Sequence, residues 1–184
     1  MSSLEDPNEL NFNRKWSIWF HKIDDDNWDN KSYRHVYKFG NISEYWKLMN
    51  NLPSITSCML FLMEDNIFPT YEDPLNYKGG SWSYRILRKD LKNCWEELCL
   101  GIVGESIFHE EDRKIINGVS VNPKNCVIKI WTRDIKLPSN TEYLEFIETI
   151  PGLDQSRAIF TNHIEKSNNS KLKGEVKNEL VSSV

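Results

Sequence analysis

IINGVSVNPKNCVIKIWT, residues 115–132, holds two β-rich runs, 115–121 and 127–132, on either side of the turn-formers Asn122, Pro123, Lys124 and Asn125. Two such runs across a short turn predict a β-hairpin, and therefore a sheet with antiparallel pairing. Strand alternation directs Ile128 and Ile130 to one face and Val127, Lys129 and Trp131 to the other. A Lys beside a Trp on one strand face fits a half-wet pocket. It fits equally a stem laid over apolar surface with its head in water.

Working outward from the hairpin, residues 58–63, CMLFLM, are a compact apolar run suited to a buried strand, and SWSYRIL from Ser81 is a further strand behind Gly79-Gly80. Upstream, WSIWFHK from Trp16 to Lys22 alternates. Trp16, Ile18 and Phe20 share one face, and Ser17, Trp19 and His21 share the other, so aromatics on both faces predict that both are covered. SYRHVYKFG, and RAIFTNHI near the end, read as strands as well. Helical spacing marks residues 42–52, capped by Asn41 or Ser43 and stopped by Pro53. It also marks an Asp90-capped helix to about Val103, and TEYLEFIETI before Pro151-Gly152. The run HEEDRK at 109–114 reads as a solvated polar loop. The fold class expected is α+β: one curved antiparallel sheet of about six to eight strands with three helices packed on one face.

At 184 residues the chain suits one domain. We read residues 1–13 as a flexible N-terminal segment, 14–165 as the folded domain, and the Ser-, Asn- and Lys-rich 166–184 as a mobile tail. Lys and Arg total 23 against 27 Asp and Glu, a net charge of −4. That balance argues against gripping nucleic acid mainly through its phosphates, so any nucleotide recognition is local and base-directed. Cys58, Cys94, Cys99 and Cys126 show neither CxxC pairing nor zinc spacing, which fits reduced thiols in the cytosol and no metal. The N-terminus carries no apolar run of the signal-peptide or membrane-span type. Seven Trp, seven Tyr and eight Phe exceed what a core of this size needs, which sends some rings to a surface.

The surface chemistry concentrates in PTYEDPLNYKGGSW, residues 69–82. Tyr71 and Glu72 offer a flat π-face beside a carboxylate in a Pro-bounded loop. A carboxylate accepts two parallel N–H donors, the pattern on the guanine edge, while a neighbouring ring stacks the same base. Trp28, alone among Asp24, Asp25, Asp26, Asn27, Asp29 and Asn30, is either folded back onto the core or a second stacking plate.

Taken in order and spacing, WSIWF, Trp28 in its acidic loop, ISEYW, EDPLNYKGGSW, CWEELCLGIVGES and VIKIWT resemble the eukaryotic translation initiation factor 4E family over about residues 14–165. The resemblance implies a cupped sheet whose concave side binds the 7-methylguanosine cap of messenger RNA, with three helices on the convex back and no metal, cofactor or reaction. It implies Trp28 and Tyr71 as the two plates, Tyr71 standing where Trp is usual. Glu72 becomes the reader of the guanine edge and Trp131 the ring that touches the methyl. For the triphosphate only Lys124 matches directly, because Asn122, Val127 and Ser81 stand where basic residues are common; Lys129 is the candidate replacement.

The resemblance further implies a cytoplasmic monomer whose convex face takes a helical peptide from a scaffold initiation factor or a competing repressor. Ile42 and Trp46 match that face on the first helix, and Glu97, Leu100 and Gly104 on the second. Glu96 sits where an apolar residue is usual, and Leu10, Asn11 and Phe12 replace a short His-Pro segment. A cap-binding translational repressor of the same family, a nucleotide-hydrolysing enzyme and a carbohydrate-binding module are the competing readings.

Overall fold

The computed structural model describes residues 10–55, 57–133 and 144–168. Among these residues seven strands form a single sheet: β1 (Asn11–Lys22), β2 (Arg34–Asn41), β3 (Cys58–Glu64), β4 (Gly80–Arg85), β5 (Ile116–Asn122), β6 (Val127–Thr132) and β7 (Ile159–Asn162). Their order is β2-β1-β3-β5-β6-β4-β7, and every neighbouring pair is antiparallel. The hairpin read from residues 115–132 is β5–β6, with Val119 opposite Ile130 and Ser120 opposite Lys129. Register shifts in β1–β2 and β5–β6 interrupt the ladders and bend the sheet.

Alternation sorts the strand residues onto two covered faces. Trp16, Ile18, Leu60, Leu62, Val119, Val121, Ile128 and Ile130 are buried on the side that carries the helices α1 (Ile42–Met49) and α3 (Leu91–Val103). Tyr45 and Leu48 from α1, and Leu91, Cys94, Trp95, Leu98 and Ile102 from α3, complete that core. On the opposite, concave face a smaller cluster forms from Met59, Phe61, Met63, Ile67 and Trp131, with Trp19, Tyr33 and Tyr71 packed against it. The aromatics expected on both faces of β1 are covered on both.

Local signals account for the helix ends. The Asn41 side chain accepts the Glu44 backbone N–H at 2.9 Å, and the Glu44 carboxylate in turn accepts the Gly40 N–H at 2.9 Å, a reciprocal cap. Asp90 stands at the N-cap of α3, but its side chain makes no cap hydrogen bond. The Gly79-Gly80 pair serves close approach: a Cβ at Gly79 would lie 1.8 Å from the Thr132 carbonyl oxygen, so a side chain there would push β4 off β6.

Two expectations are corrected. Residues 144–150 of the expected third helix are not helical; Phe146 instead bridges to Phe108, because its ring packs against Phe108 and Tyr84 beside the core rather than following a helical stripe. Its residues 141–143 lie outside the described residues. The run 109–114 is not a loop: α4 (Glu110–Ile115) forms there, supported by three acids in its first turn and the Lys114–Glu110 pair at 3.0 Å. The sheet opens at Asn11, and residues 163–168 are helical.

Candidate functional site

A cavity of about 470 Å³ opens on the concave face. Its floor is the outward-alternating set of the central strands: Met59 and Phe61 from β3, Ser120 from β5, and Val127, Lys129 and Trp131 from β6. Trp131 is buried and donates from Nε1 to Ser120 Oγ at 2.9 Å, which fixes its ring in plane.

The first wall is the loop after β1. Asn27 N donates to Asp25 Oδ1 and Asp29 N to Asn27 Oδ1, both at 2.9 Å, turns that lift Trp28 out of the acidic run. Trp28 is 52% exposed and lines the cavity, so its ring is not folded into the core. The fully buried His21 lies behind it, with ring nitrogens 2.8 Å from the Lys22 carbonyl and 2.9 Å from the Asn27 carbonyl.

The opposite wall carries Tyr71 and Glu72. Asp73 shapes this loop by accepting from Phe68 N at 3.0 Å and from Leu75 N at 2.9 Å, the second bond capping the short helix α2 (Pro74–Tyr77). Buried Asn76 donates to the Phe68 and Thr70 carbonyls at 3.0 and 2.8 Å, and its own Oδ1 accepts from Asn117 of β5 at 2.8 Å. His163 Nδ1 donates to the Asn76 carbonyl at 2.8 Å. The His163 ring sits between Tyr71 and Trp131, and burial lowers its pKa to about 4, with Lys166 and Lys129 adding to the shift. It is neutral at physiological pH.

Charge enters from two lysines. Burial lowers the Lys129 pKa to about 8, with the neighbouring Lys166 charge adding to it. Lys166 lines the cavity with its nitrogen 4.7 Å from the centroid of Tyr71; burial lowers its pKa and the Glu72 carboxylate opposes that. Tyr33, at the back between the walls, is pushed well above the usual phenol range by burial and by Glu72.

Of the six cap-site residues read from the sequence, Trp28, Tyr71, Glu72, Lys129 and Trp131 line this one cavity. Lys124 does not: it stands exposed on the hairpin turn, 3.8 Å from the Asp24 carboxylate, and Asn122 and Asn125 face the cavity instead. Ser81, paired with Trp131 across the β4–β6 ladder, is buried outside the lining. Sequence reading missed Tyr33, Asn125 and Lys166 as lining groups and His21, Asn76 and His163 as supports. Alternation within β1 sends His21 to the pocket face and was the one available signal for it.

On the convex side Trp46 is 46% exposed and Leu100 38% exposed, with Ile42 half-buried and Glu97 and Gly104 exposed. Trp46 rests edge-on against buried Tyr45, ring centroids 5.2 Å apart. Glu96 pairs with Lys92 at 3.7 Å on α3. Among the described residues no group of His, Cys, Asp or Glu is gathered for a metal ion, and no helix is long and apolar enough to cross a membrane.

A family model described as Eukaryotic initiation factor 4E matches residues 11–177. The eukaryotic translation initiation factor 4E of Eremothecium gossypii is 31% identical over 135 residues, 67% of this chain and 63% of that protein. Initiation factor 4E-1A of Danio rerio is 31% identical over 140 residues, 72% of this chain and 65% of that protein. The chain thus spans a little under two thirds of the length of these relatives. Among solved structures, C. elegans eIF4E-3 in complex with the 4E-binding protein Mextli and a cap analog is similar at TM-score 0.63 and 27% identity, covering 69% of this chain and 76% of that one. Ascaris suum eIF4E-3 with m7G cap is similar at TM-score 0.63 and 26% identity, covering 70% and 76%.

Proposed function

The chain belongs to the eukaryotic initiation factor 4E family, and from that membership we propose that its concave cavity binds the 7-methylguanosine cap of messenger RNA. The observation that carries the reading is the convergence of Trp28, Tyr71 and Glu72, from two separate loops, on one cavity floored by Trp131. Methylation makes the guanine cationic, so each ring contributes stacking plus a cation–π attraction of about 0.5–2 kcal/mol. Glu72 accepts the two edge N–H groups, and Trp131 meets the methyl. Unmethylated guanine lacks the cationic contribution. Lys129 takes the phosphates with Lys124 nearer the rim.

We further propose that the protein recruits capped messenger RNA for translation initiation through a scaffold protein. The scaffold's helical peptide docks on Ile42, Trp46, Glu97, Leu100 and Gly104, where repressor peptides compete for it. Exposed Trp46 and Leu100 supply the apolar anchor such a helix needs. The protein acts as a cytoplasmic monomer and a binder rather than an enzyme. Fluorescence titration with 7-methyl-GTP and GTP tests the cap reading: Trp28 is quenched by the methylated ligand at much lower concentration than by GTP. Equal affinity for the two would overturn it. Addition to a cap-dependent translation extract separates recruitment from repression, since a recruiter stimulates and a repressor inhibits.

A further inference from the structure

An electron-rich ring beside a carboxylate attracts any cation, and in this protein a cation of its own chain already stands there. The Lys166 ammonium lies 4.7 Å from the Tyr71 ring centroid, and its charge interacts with Glu72. Its root is fixed. Asn162 Oδ1 accepts the Ile164 N–H at 2.9 Å at the start of helical residues 163–168, His163 bonds Asn76, and Ser167 is buried. Its stem carries four rotatable methylenes, so the ammonium can travel while the backbone stays in place.

We propose that Lys166 is a resident cation of the cavity, standing over Tyr71 where the charged base would stack and passing to the phosphate chain when ligand enters. The inference rests on the cap-binding reading and adds a determinant of selectivity to it. A methylated nucleoside must displace the ammonium from ring and carboxylate and offers it nothing in return. A methylated nucleoside triphosphate offers a polyanion, to which an ammonium makes charge-assisted hydrogen bonds. A ligand shifts an equilibrium between two side-chain positions only by the difference in its interaction with each. Lys166 therefore weakens the site for the base alone and strengthens it for the base with its phosphates.

The test is titration of Lys166→Met and Lys166→Gln, with Lys166→Arg as the charge-keeping control, against 7-methylguanosine and 7-methyl-GTP. The two neutral variants are expected to bind the nucleoside about threefold more tightly and the triphosphate about fivefold more weakly, while Lys166→Arg keeps the wild-type ratio. Shifts of both ligands in the same direction, or of neither, overturn the inference; damage to the fold weakens both and cannot produce opposite signs. Failure of the wild-type protein to bind 7-methyl-GTP would instead overturn the cap reading, and this inference with it.

Discussion

The imidazole of His21 lies parallel to the indole of Trp28, ring centroids 4.3 Å apart and planes 5° from coplanar stacking. One face of the plate is thereby occupied by the protein, and the other is left for a ligand. The same imidazole lies within hydrogen-bond reach of the Lys22 and Asn27 carbonyls, and an N–H on Nε2 ties the Trp28 loop to β1 by donating to Asn27. His21 is thus a positioning residue that never meets the base.

His21→Ala should weaken 7-methyl-GTP about tenfold, because the plate loses its backing and the loop its tie. His21→Phe restores the backing ring without the hydrogen bonds and should recover most of that loss. Titration by Trp28 quenching measures both; an alanine variant within twofold of wild type would show that Trp28 is held by other contacts.

Glu72→Ala removes the acceptor pair for the guanine edge and leaves two N–H donors unmatched. Losing a charged hydrogen-bond partner costs about 1.5–3 kcal/mol, roughly ten- to a hundredfold in affinity. Binding by Glu72→Ala at near wild-type strength would remove this carboxylate from the site.

Lys129 gives the site a pH dependence whose sign is fixed. Burial holds its pKa at about 8 in the free protein, and a bound polyanion raises it, so binding takes up a proton. The preference for 7-methyl-GTP over 7-methylguanosine should be full below about pH 8 and should fall as pH rises through that value. Comparing the two ligands cancels titration of the base itself. In Lys129→Met the preference is smaller and its fall with pH is shallower, Lys166 alone remaining to titrate against the phosphates. The same depression disfavours folding at neutral pH, because the folded chain resists a charge that the unfolded chain carries freely up to about pH 10.5. Lys129→Met should therefore raise the melting temperature at pH 7, and this gain should shrink as pH rises from about 8 and be gone above 10.5. A variant that melts no higher than wild type at pH 7 would contradict the burial argument.

Trp46→Ala should abolish capture of the scaffold peptide and leave cap affinity within twofold, since Trp46 and the cavity stand on opposite faces of the sheet. Isothermal titration with a helical scaffold peptide, followed by 7-methyl-GTP on the same sample, reads both. Full peptide binding by the variant would move the docking site elsewhere.

The β-ladder was legible wherever alternation is strict. Residues 127–132 declare both their strand and its faces, whereas 58–63, apolar throughout, declare only a strand, and the pairing of Lys129 with Trp131 on the pocket side follows from a period of two. Local chemistry marked Trp28, Tyr71 and Glu72 as candidates, and their order relative to the other motifs singled them out; the structure brings them to one cavity. Residues 144–150 misled because their apolar spacing mimics a helix, while the chain there answers to a long-range contact, Phe146 against Phe108. Lys166 was hidden for the same reason: nothing in a polar stretch of Ser, Asn and Lys tells that three residues earlier His163 is anchored to a loop 87 positions away.

Asn76 has a consequence for the speed of recognition. Its amide is shared among the Tyr71–Glu72 loop, Asn117 of the central sheet and, through its carbonyl, His163, so the loop's shape is set by the sheet before any ligand arrives. A segment so held has little conformational entropy left to surrender on association. On the proposed cap reading, encounter needs only the exchange of side chains at the rim, and the capture rate is set by diffusion and orientation rather than by waiting for a loop to close.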